Sequence, residues 1–242
     1  MKLLAVETST EACSAALFID GMDAGAQQQL PRAGYGIIAE RFELAPKAHT
    51  KLILPMIDSL MADAGLKPQQ LDALAFSRGP GSFTGVRIAT GVIQGIALGA
   101  DLPVVPVSTL AAIAQDFFDN NDENAAFVAM DARMGEIFWG VFRRDTQGYA
   151  ELIGEEAVTP AEQVEFPDLS GVGVGSGWGV YRQELKERLA GRVSRYQADM
   201  LPRAGAIARL GARGFEQGLA VVVEQAMPVY LRDKVAKKES ER

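Results

Sequence analysis

The chain has 242 residues, 48% of them hydrophobic and 23% charged, enough for one large core or two smaller ones. Its formal net charge of -7 argues against a broad nucleic-acid-binding face. A single cysteine, Cys13, excludes an intrachain disulfide and a thiolate zinc site, and a single histidine, His49, excludes a two-histidine metal site.

In chain order, Lys2 to Glu7 reads as a strand, and the apolar run meets Glu7 too soon for a signal peptide. Cys13 to Ile19 is a second strand ending at the turn Asp20-Gly21, with Cys13 expected to act as a small hydrophobe inside it. Met22 to Gly34 has little pattern and reads as a loop. Gly36 to Leu44 alternates like a strand. Lys47 to Ala64 has helical spacing, with Pro55 predicting a kink or a late start and Gly65 a C-cap. His49 falls at its beginning, where a helix-start or interface role is expected. No nucleophile-elbow motif accompanies it.

Leu71 to Phe76 reads as a buried strand that runs into Gly79-Pro-Gly-Ser-Phe-Thr-Gly-Val-Arg87. The three glycines permit sharp turns, Pro80 stiffens them, and Ser82 or Thr84 can cap the helix that Val86 to Leu98 implies. A strand, a glycine turn and a helix start make either an anion cradle or an ordinary strand end. The apolar stretch Val86 to Ala100 carries Arg87 and Gln94 and is too short for a bilayer, so no membrane contact and a cytoplasmic location are expected.

Leu102 to Val107 is the next strand, followed by a helix from Thr109 to Phe118 capped by Ser108 and a loop over Asn120 to Asn124. Ala126 to Met130, Asp131 and Glu136 to Phe142 then echo the opening of the chain. Aligned without a gap, Glu7 meets Asp131, and Cys13 to Phe18 meets Ile137 to Phe142. Either two related subdomains face each other across a cleft or two hairpins resemble each other by chance. Gly171 to Val174 is a strand, Gly175 to Gly177 a turn, Val180 to Leu189 a helix, and Pro202 to Glu216 a final helix. The repeated strand-then-helix order indicates an α/β fold. Arg232, Lys234, Lys237, Lys238 and Arg242 form a basic run at the end.

Taken together, Leu4-Ala-Val-Glu-Thr-Ser-Thr-Glu-Ala-Cys-Ser14, Arg78 to Arg87, Asp131-Ala-Arg-Met-Gly-Glu136 and Pro228-Val-Tyr-Leu-Arg232 resemble the TsaB (YeaZ) family of tRNA threonylcarbamoyladenosine biosynthesis. His49-Thr50, Ile53 to Met56, Leu98 to Pro103 and Val107 to Leu110 match as well, so the resemblance covers nearly the whole chain. It implies an actin/Hsp70/sugar-kinase-like fold of two tandem ribonuclease-H-like lobes, divided here as residues 1–107 and 108–242. It also implies a non-catalytic subunit that binds and activates the metal-carrying paralogue TsaD. A TsaE ATPase joins them, tRNA is reached only through the complex, and a homodimer is the other pairing left open.

No cofactor is expected on this chain alone, with ATP or ADP placed at the complex interface. Were a nucleotide held in the cleft, the resemblance points to Thr8, Ser9, Gly173, Gly175 and Gly177, although a tight strand-to-helix turn also accounts for those glycines. Glu7 stands where the superfamily usually has Asp, and its extra methylene moves the carboxylate by about 1.5 Å. The Met22 to Gly34 loop is longer than usual for the family. Partner contact is expected on two helices, through Leu52, Met56 and Leu60 on the first and Gly91, Gly95 and Gly99 on the second, unless the glycine row packs inside the lobe against its own sheet. Two other readings remain: an ATP-dependent phosphotransferase using Asp131 and Glu7, and a metallopeptidase, which the histidine count disfavours.

Overall fold

Strands buried on both faces set the frame of the computed structural model, which describes residues 1–20 and 36–232. Strands β1 (Lys2–Glu7) and β2 (Ala12–Ile19) pair antiparallel from Lys2↔Ile19 to Glu7↔Ser14. β3 (Ile37–Leu44) pairs antiparallel with β2. After helix α1 (His49–Asp63), β4 (Ala73–Gly79) adds parallel to β1. Helix α2 (Phe83–Ala100) leads to β5 (Val104–Ser108), parallel to β4, and the sheet order is β3-β2-β1-β4-β5. Leu4 and Val6 point to the face covered by α1 and α2, whereas Leu3 and Ala5 point to the other face. A strand sandwiched in this way needs apolar residues throughout, which is why β1 and β2 read as unbroken hydrophobic runs.

The second half repeats the plan. Helix α3 (Thr109–Asn120) precedes β6 (Ala125–Arg133), β7 (Glu136–Arg144) and β8 (Ala150–Pro160). Then come β9 (Gly171–Val174), the short helices α4 (Gly177–Val180) and α5 (Arg182–Arg188), β10 (Val193–Gln197) and α6 (Ala204–Glu216). The second sheet has the order β8-β7-β6-β9-β10, the same arrangement as the first. Duplication of the lobe explains the echo in the sequence.

Several expectations need correction. The ungapped alignment of the two hairpins is one residue out on its second strand. Glu7 pairs with Ser14 in the first lobe, but Asp131 pairs with Ile137 in the second. The second hairpin is tighter because Arg133, Met134 and Gly135 all take left-handed φ angles of 62°, 60° and 81°. The helix expected over Val180 to Leu189 is two short helices broken at Tyr181. α1 has no late start, since it runs through Pro55 from His49. Strands β8 and β10 were not expected at all. α2 is 18 residues long with a mean hydropathy of 1.3, so by length and composition alone it meets the minimum for a membrane span. Here, however, Val86, Ala89, Ile93 and Ala97 are buried against the first sheet. The Met22 to Gly34 loop and the basic residues beyond Arg232 lie outside the described residues.

Helix ends follow local chemistry. The Ser108 hydroxyl accepts from the backbone N–H groups of Leu110 and Ala111, and Ser82 accepts from Gly85. At the end of α1, Gly65 sits at φ 64°, its N–H donating to Ala62 and that of Leu66 to Met61, which closes the helix in a Schellman turn.

The helix that follows each sheet covers the other one. α3 follows the first sheet but places Leu110, Ile113, Phe117 and Phe118 against the second. α6 follows the second sheet but places Ala204, Ile207, Ala208 and Ala212 against Leu3, Ala5, Phe18 and Val105 of the first. Gly211 and Gly214 of α6 let it lie close to Ala75 and Val105, where a methyl group would overlap. A cut at residue 107 therefore separates the sheets but leaves α6 on the far side of it.

Candidate functional site

A cleft of about 880 Å³ opens between the lobes where the β1–β2 loop, the start of α2, the β6–β7 hairpin and the last described segment meet. Two of these parts are sequence segments that could each have cradled an anion. They are instead fastened to each other. Thr8 Oγ1 donates to the Gly85 carbonyl at 2.7 Å, and the Ser82 N–H donates to the Ser9 carbonyl at 2.7 Å. A methyl group on Gly81 or Gly85 would overlap the Ser9 or Thr8 backbone, so these glycines serve close approach of two chains. Thr8 and Ser9 are both fully buried, and Thr109 Oγ1 lies 3.3 Å from Ser9 Oγ.

Glu7 lies behind this junction, also fully buried. One carboxyl oxygen accepts from the Ser9 N–H, and the other, like the hydroxyl of the neighbouring Ser77, has no hydrogen-bond partner among the described residues. Burial holds its pKa above the ordinary 4.5, against the opposing hydrogen bond from Ser9. Such a carboxyl is suited to holding a proton, not to orienting a magnesium ion in the cleft.

The glycines of the Gly173 to Gly177 turn have packing reasons. A side chain at Gly173 would strike the Trp178 ring, and Gly175 (φ 100°) and Gly177 lie against Ala129. His49 is buried at the start of α1, its Nε2 3.1 Å from the Ala12 carbonyl. No group of three His, Cys, Asp or Glu side chains placed to hold a metal occurs among the described residues.

Asp131 does border the cleft. Its N–H donates to Ser176 Oγ at 3.1 Å, and its carboxylate accepts from the Arg133 N–H at 2.8 Å, which fixes the left-handed turn. Burial and the nearby Asp131 push the Tyr181 phenol above its ordinary value. A strap that the sequence flagged only through its Pro-Val-Tyr-Leu-Arg motif closes the site. Val221 bridges Val104, Gln94 Nε2 donates to the Ala226 carbonyl at 2.9 Å, and the Val229 N–H donates to the Arg78 carbonyl at 2.7 Å. Arg232 then reaches across to Glu136 of the second lobe at 2.6 Å.

On the outer face of α1 and α2, the expected contact residues divide. Leu60 is 1% exposed and belongs to the core, a correction that follows from its place beside Ile53 and Ile57. Leu52 and Met56 are partly buried against the same core. The residue of α1 that does stand out is Leu54, 55% exposed. Gly91, Gly95 and Gly99 are exposed, with nothing among the described residues within 4 Å of where a side chain would begin, so this row does not pack against its own sheet. Leu98, 75% exposed, lies among them.

Comparison with known proteins agrees with this architecture. A family model described as TsaD, tRNA N6-adenosine threonylcarbamoyltransferase, matches residues 25–240. The tRNA threonylcarbamoyladenosine biosynthesis protein TsaB of Escherichia coli strain K12 is 41% identical, over 98% of this chain and 96% of that protein. The chain belongs to the TsaB family. The Haemophilus influenzae TsaB is 38% identical over 97% of this chain and 95% of its own length. Among solved structures, YeaZ from Pseudomonas aeruginosa superposes with a TM-score of 0.82 at 39% identity, covering 95% of this chain and 99% of that one. A crystal structure from the same organism, described as an uncharacterized protein with similarity to peptidase YEAZ, gives 0.83 at 40% identity over 96% and 99%. The match to the TsaD family model runs through both lobes of this chain, and the loop of the first lobe that faces the cleft is sealed.

Proposed function

We propose that this chain is the non-catalytic subunit of the machinery that forms threonylcarbamoyladenosine on tRNA, and that it binds and activates a TsaD-type paralogue. Full-length similarity to bacterial proteins named for that biosynthesis supports the pathway. The binding role rests on one observation, the exposed glycine row of α2 and the exposed Leu54 of α1, on two helices that cover the same face of the first sheet. Glycine inside a helix costs about 1 kcal/mol relative to alanine. The α6 glycines are accounted for by contact with the sheet, whereas a side chain at Gly91, Gly95 or Gly99 of α2 would meet open space among the described residues. A second helix laid on the row could bring the two backbones close together, as small residues allow.

In this reading the paralogue supplies the metal and the transfer chemistry. ATP or ADP sits at the shared interface, a TsaE ATPase and tRNA join through the complex, and the work is done in the cytoplasm. Without the paralogue, the same face serves a homodimer. The sealed Thr8–Ser9 loop and the buried Glu7 weigh against a phosphotransferase, and the single committed histidine against a peptidase.

The test is reconstitution of the modification with each subunit omitted in turn. Loss of product without this chain, and no turnover by this chain alone, is the expected result. Robust turnover by a preparation free of the paralogue, or normal tRNA modification in a deletion strain without a second copy, would overturn it. Tight magnesium-dependent ATP binding to the isolated chain would favour the phosphotransferase.

A further inference from the structure

At the N-terminal end of the glycine row stands a group with no role inside the fold. Residues 83, 87, 91, 95 and 99 follow one another at intervals of four, so they form a single ridge of α2, and all five are exposed. Its first two members are large and the last three are glycine. The Arg87 guanidinium lies 3.3 Å from the centre of the Phe83 ring and 4.8 Å from that of Tyr230, while its Nη1 donates to the Phe83 carbonyl at 3.0 Å. The two rings are 5.9 Å apart.

Three features of this cluster do not serve stability. Phe83 is 59% exposed and Tyr230 44%, although both are costly to leave in water. Arg87 pairs with no carboxylate among the described residues, in a chain where acids outnumber bases by 31 to 24. The rings also come from distant parts of the sequence, brought together where the strap hydrogen-bonds to Arg78 beside the α2 start. An arginine held rigid between two aromatic rings loses little freedom on binding, and Arg and Tyr are characteristic of residues that dominate interfaces. Its five N–H donors are only partly used, and a carboxylate matches the remainder.

We infer that Arg87, held between Phe83 and Tyr230, is the charge-reading anchor of the α2 face and takes an acidic side chain of the partner protein docked on the glycine row. The inference rests on the partner reading above and adds to it which residue selects the partner and by what chemistry. The neighbouring floor supports a protein over a nucleic acid as occupant. It offers glycines, Leu98 and Leu54, an apolar surface suited to a helix, with no further exposed cation on the ridge. The partner's acid is expected about 6 Å along the helix axis from the contact at Gly91, one interval of the ridge.

The experiment measures the affinity of the full-length chain for the purified TsaD-type paralogue, at low and at moderate salt, for wild type, Arg87→Ala, Arg87→Glu, Arg87→Lys and Phe83→Ala. Expected results are at least a tenfold loss for Arg87→Ala, a larger one for Arg87→Glu, and partial retention for Arg87→Lys. The affinity of Arg87→Ala should also fall less steeply with salt than that of wild type. Circular dichroism should report an unchanged fold, since the side chain is exposed. Arg87→Glu binding within twofold of wild type would overturn the anchor and leave the partner reading intact. Failure of wild type to bind at all would remove both. A parallel titration with a tRNA transcript completes the test. Loss of RNA affinity in Arg87→Glu, with paralogue affinity unchanged, would assign the guanidinium to phosphate and overturn the inference.

Discussion

Glu7 is a carboxyl taken wholly out of solvent behind the cleft. It ends β1 as the superfamily's phosphate-loop acid would, yet it is fully buried with one oxygen unpartnered among the described residues. Its folded pKa is raised by desolvation from an ordinary 4.5. The folded chain therefore keeps this proton at pH values where the unfolded chain has released it. Stability contributed by Glu7 is full below 4.5 and is lost as the pH climbs toward the raised folded value. Glu7→Gln is close to the shape of the protonated acid but cannot titrate. Its melting temperature, followed by circular dichroism from about pH 4 to pH 8, should gain on wild type as the pH rises. Parallel curves would mean that Glu7 is ionised in the folded protein.

At the scale of elements, glycines of similar sequence context carry opposite meanings. Gly85→Ala drives a methyl group into the Thr8 carbonyl and should cost several kcal/mol, of the order of a strained core substitution. Gly95→Ala meets open space on a helix and should raise the stability of the isolated chain by about 1 kcal/mol while weakening its hold on the paralogue. Denaturant melts and pull-down of the same variants test both halves, and a Gly95→Ala chain that is no more stable would remove the argument from helix cost. Leu54→Glu should likewise stay folded and lose co-purification. These contrasts also mark what the sequence could disclose. β1, β2 and β4 were legible because burial on both faces leaves an unbroken apolar run. β8 was not, because it is an edge strand with Gly154 at φ 85° and with Glu151, Glu155 and Glu156 along it. β10, also at an edge, is five residues with little apolar content. The register of the second hairpin was hidden by two non-glycine residues in left-handed geometry, which no turn rule assigns to Arg133 and Met134. The sealing of the Thr8–Ser9 loop depends on residues about 77 positions away, a contact that local pattern does not carry.

For the whole molecule, the traded helices matter more than the division into lobes. The first sheet lies between α1 and α2 on one face and α6, nearly a hundred residues further on, on the other. α3 answers by covering the second sheet, and the strap ties the edge of the first sheet to Glu136 of the second. The first sheet is therefore covered on only one face by its own half of the chain. A fragment of residues 1–107 would leave Leu3, Ala5, Phe18, Ala73, Ala75 and Val105 open to water on one face, a patch far beyond what a monomer tolerates. That fragment should be insoluble or bind a hydrophobic dye when expressed alone, and it should recover structure when residues 201–232 are supplied in trans. The intact chain should unfold in a single calorimetric transition whose calorimetric and van't Hoff enthalpies agree, because losing α6 with the second lobe uncovers the first. Two resolved transitions, or a well-folded 1–107 fragment, would show that each lobe carries its own core, and the coupling drawn here from the helix exchange would then fail.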